Sequence, residues 1–386
     1  MNITLIEPYF TGSHADWAKG FARHSRHSID ILKLSGSYWK WRMQGGAVTL
    51  AAEFLKSDTR PDLILVTDML DLTTFLALTR QRTAGIPVAI YFHESQICYP
   101  WLPTDRDVKN KRNHHYGFIN YSSALAADRV LFNSQYHFTA FFNELHRFLK
   151  HFPDHNELDT VDIIRNKSKV LHLGLDLQKL DNYEALNSNL TRDIDCEMDR
   201  HNDIGMRPPL ILWNHRWEYD KNPEEFFQAL YFLQDQGLDF HLAMLGESFG
   251  KPHPVFEEAR SKLQDRVVHF GYANDHSEYA SWLHRADIIP VTSNHDFFGA
   301  SLVEALYCRC YPLVPKRLTY PELLPISEHP EVFYKDLDDL VIKLERAIRE
   351  IDSIRKTEFR QCVAKFDWRR IVVEYDQLFE DLVERS

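Results

Sequence analysis

The chain has 386 residues and carries 45 Lys and Arg against 56 Asp and Glu, a net charge of -11. That balance excludes a global positive field for nonspecific binding to nucleic acid or membrane, so a polyanionic partner needs a local basic patch. Cysteines at 98, 196, 308, 310 and 362 have no extracellular framework spacing, and no apolar run approaches the roughly 20 residues of a membrane span.

The N-terminus "MNITLIEPYF" lacks a basic region ahead of a long apolar core. The expectation is a soluble, cytoplasmic protein with reduced thiols and no membrane partner. The length suits two domains, each with its own core, and no composition break supports three.

Short apolar runs alternate with amphipathic helix-length stretches from the first residue onward. Candidate strands in the first half are "ITLIE", "IDILKL", "DLILVT", "PVAIYF", "RVLF" and "KVLHL", with helical patterns such as "HADWAKGFARH" and "HYGFINYSSALAA" between them. This is the pattern of βαβ units and a parallel sheet. From Gln178 to Pro209 the pattern lapses into a polar stretch, read as the interdomain connection. It restarts with "PLILWN", "DFHLAML", "RVVHF", "DIIPV" and "YPLVP", separated by "NPEEFFQALYFLQ", "PVFEEARSKL", "SEYASWLHRA" and "GASLVEALY". Two Rossmann-like α/β domains facing a central cleft follow: residues 1–180, joined by the closing helical stretch 366–386, and residues 205–365.

In such sheets ligands bind beyond the carboxyl ends of the strands, so the loops there carry the function. After the first strand, Gly12 and Ser13 form a tight turn with His14 at the head of a helix, where backbone N–H groups can receive an anionic oxygen. An ordinary strand-to-helix loop accounts for that turn as well. The fourth strand ends in "YFHESQICYPW", which puts His93, Glu94 and Gln96 where they can bond sugar hydroxyls. A structural His–Glu pair is the competing reading and the commoner one.

In "LILWNHRWEYDKNPEEF", Arg216 and Lys221 precede a helix starting near Pro223, and two cations there make a diphosphate clamp. A charged turn is the alternative for this motif alone. The stretch "SNHDFFGASLVEAL" places the amides of Phe297, Phe298 and Gly299 at a helix N-terminus and Glu304 inside the helix, where a carboxylate can accept from a ribose diol. Asp296 sits in the loop itself; a solvated acid is the other reading of either carboxylate. Cys308 and Cys310 have no second Cys/His pair at zinc spacing, so no metal is expected there.

Arg216, Lys221, the "FGY" containing Gly271 and Tyr272, and "HDFFGASLVEALYCRCYPLV" together resemble the donor half of retaining GT-B glycosyltransferases. The resemblance implies that Arg216 and Lys221 hold the donor diphosphate, Glu304 the ribose, and the 296–299 loop the transferred sugar. The first signature acid is Asp296 where that group usually has Glu, one methylene shorter. "GSHADW", "YWKWRMQGGA", "FHESQICYP", "NYSSALAADRVLFNSQYH" and "HRWEYDKNPEEFF" are similar to one branch, the tRNA-queuosine alpha-mannosyltransferases. That likeness, nearly end to end, implies a GDP-mannose donor, queuosine in a tRNA anticodon as acceptor, and retention of the alpha configuration. The RNA then needs a local site, for which "DRDVKNKRNHHYGF", with Arg106, Lys109, Lys111, Arg112, His114 and His115, is the candidate. A solvated basic loop explains the stretch as well.

The mechanism expected from this is a same-face displacement without a divalent metal or other cofactor, the leaving diphosphate being stabilised by Arg216, Lys221 and helix N-terminal amides. His93 is expected beside the transferred sugar and Asp296 near it. The alternatives are a mannosyl- or glucosyltransferase acting on a glycan or lipid, and a catalytically silent GT-B protein that binds nucleotide or RNA.

Overall fold

A computed structural model describes residues 1–102, 104–183, 207–246 and 254–385. The described chain divides into two compact units, one formed by Met1–Leu175 with Phe366–Ser386 and the other by Asp176–Lys365. The polar stretch read as a connection lies for the most part outside the described residues.

The first unit contains six strands: β1 (Asn2–Phe10), β2 (Ser28–Ser35), β3 (Leu63–Thr67), β4 (Val88–Phe92), β5 (Arg129–Phe132) and β6 (Ser168–Val170). They form one sheet in the order β2-β1-β3-β4-β5-β6, and every pairing is parallel. The central strands β3 (LILVT) and β4 (VAIYF) are buried at every residue, as a strand covered by helices on both faces requires, whereas the edge strand β2 is partly exposed throughout. Helix Trp39–Lys56 turns Met43, Gly46, Ala47, Leu50, Ala51 and Phe54 inward, a spacing that makes one apolar stripe. Phe92 and Phe132 of the strands meet Phe141 of the covering helix Gln135–Lys150 in the core.

The chain end belongs to this unit. The Leu175 and Trp368 N–H groups donate to Phe366 and Leu175 carbonyls at 2.9 Å, a short parallel bridge that delivers helix Trp368–Glu384. Tyr375 on that helix donates to the His172 carbonyl at 2.7 Å and accepts from Trp17 Nε1 at 3.1 Å. Trp368 fills a slot made by two glycines: a Cβ at Gly20 would come 2.0 Å from its Nε1, and one at Gly174 2.5 Å from its Cδ2.

The second unit repeats the plan with β7 (Leu210–Trp213), β8 (His241–Met244), β9 (Val267–Phe270), β10 (Ile288–Pro290), β11 (Tyr311–Pro315) and β12 (Phe333–Tyr334). The order is β12-β11-β10-β7-β8-β9, again all parallel. Two-residue β12 is absent from the sequence-based reading because so short a run has no period to detect. Helix Pro223–Asp235 begins at Pro223, with proline in the first turn where its missing N–H costs nothing. No helix among the described residues is long and apolar enough to cross a membrane.

The Trp368 slot gives a stability prediction. Gly20→Ala is expected to destabilise the first unit by about 1–3 kcal/mol through overpacking. An unchanged thermal midpoint would show that the indole can step aside.

Candidate active site

In a parallel sheet every carboxyl end lies on the same edge, and in the first unit that edge gathers buried polar groups from three strands. Glu7, near the end of β1, is fully buried; its Oε1 accepts from the Tyr9 N–H at 2.7 Å and its Oε2 lies 3.0 Å from His14 Nδ1. Asp68 follows β3 and accepts the His93 N–H at 2.8 Å. His93 follows β4, and its carbonyl accepts from Asn133 Nδ2 at 2.8 Å. Asn120 ties the two loops together, donating to the Asp68 carbonyl at 2.9 Å and accepting the Gln96 N–H at 2.8 Å.

The rings of His14 and His93 are 4.2 Å apart, and Trp17 meets His93 edge-on at 4.7 Å. Burial pulls His14 toward neutrality, but the Glu7 carboxylate, helped by Asp68 and Glu94, raises it to about 9. It is therefore an imidazolium at neutral pH. Burial, together with that neighbouring charge and His137, drives His93 well below the ordinary histidine range, so it is a neutral imidazole. Burial raises Asp68 to about 8, with Glu94 adding to the effect and His14 opposing it. His93 Nε2, Gln96 Oε1 and Thr67 Oγ1 are buried with no hydrogen-bond partner among the described residues. Buried polar atoms are ordinarily paired, so unpaired ones at strand ends mark where a polyhydroxylated ligand can complete the set. Gly12 and Ser13, by contrast, are exposed at the head of helix Gly12–His24.

Glu7, His14 and His93 are also the group among the described residues whose ligating atoms lie close enough, within 4.8 Å, to hold a metal ion. A protonated His14 disfavours that use, since imidazole ligates only when neutral.

In the second unit, Asn214, His215 and Arg216 follow β7. Gly246, just after β8, has a φ of 116°, and a Cβ there would lie 2.0 Å from the His215 carbonyl oxygen, so only glycine lets this loop cross. Lys221 is 11% exposed; its Nζ donates to the His295 carbonyl at 2.8 Å and lies 3.3 Å from Asp220 and 4.0 Å from Asp296. Arg216 is more open, 48% exposed, with Glu218 at 3.4 Å. Burial pushes the Asp220 carboxyl up, yet Lys221, Arg216 and His295 hold it below the usual carboxylate range. The two cations of the predicted clamp therefore share Asp220 as counter-charge. Burial and the Lys221 charge lower His215 to about 4.

Glu304 lies in helix Ala300–Tyr307 and accepts the Tyr279 hydroxyl at 2.7 Å. Burial and that carboxylate hold the hydroxyl well above the usual tyrosine range, keeping it a donor. Asn214 Nδ2 bonds the Tyr279 hydroxyl at 3.3 Å and the Ser301 carbonyl at 2.9 Å, and Ser301 Oγ meets His215 Nδ1 at 2.8 Å. The loop after β7 is thus laced to the helix that carries Glu304.

Asp296 is occupied within its own loop: Oδ1 accepts the Gly299 N–H at 3.0 Å and Oδ2 the Tyr320 hydroxyl at 3.3 Å. The Gly299 amide expected to face a ligand is therefore already bonded, and Phe297 and Phe298 are buried. Gly271 follows β9 with a φ of 137°, beside Tyr272, which is 67% exposed.

Comparison with known proteins now bears on these groups. Residues 2–175 match the family model described as "tRNA-queuosine alpha-mannosyltransferase N-terminal", and residues 196–348 match "Glycosyl transferases group 1". The tRNA-queuosine alpha-mannosyltransferase of Drosophila melanogaster is 32% identical over 326 residues, covering 84% of this chain and 82% of that protein. The chain belongs to the tRNA-queuosine alpha-mannosyltransferase family.

Its fold is shared with solved GT-B glycosyltransferases. Anabaena HepE in complex with UDP aligns over 100% of both chains with a TM-score of 0.67 at 16% identity. Sucrose-phosphate synthase from Thermosynechococcus elongatus aligns over 100% of both with a TM-score of 0.68 at 15% identity.

Among the residues gathered at these strand ends, Glu7, Asp68, Asp220, Tyr279 and Ser301 are not singled out by the sequence. Glu7 had a detectable signal, a carboxylate within a mainly apolar strand; Asp220 stands beside its partner Lys221, whereas Asp68, Tyr279 and Ser301 pair with distant segments.

The Glu7–His14 pair has a pH signature. Because the folded-state pKa of His14 is above the unfolded value of about 6.5, its stabilisation is complete below that pH and is lost as pH rises through about 9. The shift corresponds to on the order of 3 kcal/mol. In urea titrations the stability gap between the parent protein and Glu7→Gln is expected to be widest near pH 6 and to narrow above pH 9. A pH-independent gap would rule out the imidazolium.

Proposed function

We propose that this chain transfers mannose from GDP-mannose to queuosine in the anticodon of tRNA, with retention of the alpha configuration. The reading is carried by one arrangement: the Arg216–Lys221 loop laced to the Glu304 helix through Asn214, Tyr279 and Ser301, in a chain of this family. Arg216 and Lys221 receive the donor diphosphate, and Asp220 holds their charge in place beforehand. Glu304, its carboxylate oriented by Tyr279, accepts from the ribose hydroxyls. His93, neutral and with Nε2 unpaired, bonds a hydroxyl of the transferred sugar.

In the transfer step the bond from the anomeric carbon to the diphosphate oxygen breaks, and the acceptor hydroxyl oxygen bonds to that carbon on the same face. The acceptor proton passes to a diphosphate oxygen. Cations and oriented donors stabilise the leaving charge without a metal. Asp296 acts as a positioning residue, shaping the loop from which the Glu304 helix starts. The donor-side set is completed by the Gly12–Ser13 turn with His14 at the head of its helix, which suits an anionic oxygen, and by Gly271 and Tyr272 of the "FGY" motif.

Incubation with GDP-mannose is expected to add one hexose to tRNA carrying queuosine and none to tRNA lacking it, as read by mass spectrometry of the digested nucleosides. No hexose on the queuosine nucleoside would overturn the reading. Arg216→Ala is expected to lower kcat by about 100-fold or more, the cost of removing one preorganised charge-stabilising donor; preserved turnover would remove Arg216 from the clamp.

Chelation supplies a separate check. EDTA is expected to leave turnover unchanged. A loss that zinc restores would instead make Glu7, His14 and His93 metal ligands.

A further inference from the structure

The first unit holds a cavity of about 750 Å³ lined by Lys40, Gln44, Arg106, Asp107, Lys111, Arg112, His115 and Tyr116. Its residues come from three places: helix Trp39–Lys56, the segment around the short helix Arg106–Lys109, and helix His114–Ala126. None of Glu7, His14 and His93 lines it.

The charges in this cavity are not equivalent. Lys40 is spent on structure: its Nζ bonds both Asp105 oxygens at 2.8 and 3.0 Å and Asp107 Oδ2 at 2.6 Å, which latches the 105–107 segment to the helix. Asp107 is spent as well, since Tyr116 donates to the same oxygen at 3.2 Å. With Lys40 and Asp107 engaged, Arg106, Lys111 and Arg112 remain as exposed cations whose side chains make no ion pair or hydrogen bond among the described residues. Lys40, Arg106, Lys111 and Arg112 set against Asp105 and Asp107 leave this concavity net positive in a chain of net charge -11, a local field for a polyanion.

Rings border the same place. Trp39, Trp101 and Tyr116 pack together with centroids 5.3 to 5.8 Å apart, and Lys40 lies over both tryptophans. On either side of Lys40 in sequence, Tyr38 and Trp41 are 81% and 61% exposed. Large exposed rings beside spread cations suit unpaired bases on a phosphodiester backbone better than a compact free phosphate. Tyr38 and Lys111 are both held at positive φ, 53° and 55°, a conformation that costs a non-glycine residue energy and recurs at functional surfaces.

We infer that this cavity binds backbone phosphates of the single-stranded loop of the acceptor RNA through Arg106, Lys111 and Arg112, with Tyr38 and Trp41 beside the bases. The inference takes its RNA from the proposed function, but its test uses neither GDP-mannose nor turnover.

The full chain and an Arg106→Ala, Lys111→Ala, Arg112→Ala variant are compared for binding a labelled anticodon stem-loop by fluorescence anisotropy across a salt series. The variant is expected to bind at least tenfold more weakly. Its log–log salt slope should be shallower by about 2, from roughly 0.7 per lost single-strand phosphate contact. Its thermal midpoint should match the parent, and Arg106→Lys with Arg112→Lys should restore most of the slope.

A stem-loop affinity and slope unchanged in the alanine variant would overturn the inference. So would equal binding of a fully paired RNA of the same charge, displacement by millimolar inorganic phosphate, or no RNA binding by the parent. If the parent binds RNA through these residues but transfers no mannose, the proposed function fails and this site stands. If it transfers mannose while the variant binds normally, only this site falls.

Discussion

The parallel direction of the strands in each sheet constrains everything else in this molecule. When neighbouring strands run the same way, their carboxyl ends and the loops that leave them share one edge, and the side chains there are half inside the core. Glu7, Asp68 and His93 in one unit, and Asn214, His215 and Asp296 in the other, all occupy such positions. None reaches it through a special local motif. They meet because β1, β3 and β4 are neighbours in one sheet, and β7 and β10 in the other.

Burial at that edge has opposite electrical outcomes in the two units. In the first, one imidazolium stands among acids, and the neighbouring histidine is kept neutral by desolvation and by that charge. A neutral imidazole beside a charged one suits recognition of hydroxyl groups. In the second, two cations act on one buried acid, leaving an arrangement that accepts further negative charge. Breaking a buried ion pair is costly, yet packed apolar residues in its place are often as stable, because desolvation offsets much of the attraction. Their concentration at strand ends is better explained by ligand chemistry than by folding.

Sequence periodicity carried the architecture a long way, because strands buried on both faces are short continuous apolar runs and covering helices have a stripe. It failed at β12, whose two residues are too few to form a pattern. The site was legible by residue type and less so by contact. Glu304 and Lys221 stand out as charged groups beside apolar runs, but Tyr279 lies 25 positions from Glu304 and His295 74 from Lys221. Such pairings depend on strand order, which a linear pattern does not contain. The basic stretch before His115 was visible as charge, yet which of its cations are spoken for depends on Asp105 and Asp107 bending toward Lys40.

Asp296 shows how a single methylene redistributes work within the fold. A short carboxylate readily bonds a backbone N–H a few residues along its own chain, a geometry that a longer glutamate closes less well. Here the Asp296 bond to the Gly299 N–H fixes the residue that opens the next helix, at a φ of 82°. Two residues on, Ser301 reaches His215, and about one turn beyond that Glu304 reaches Tyr279. Tyr320 and Lys221 hold the other side of the same acid, so its position is set from three segments. The acid thereby fixes the start of the helix that carries Glu304, and its own two oxygens are taken up within the unit by Gly299 and Tyr320.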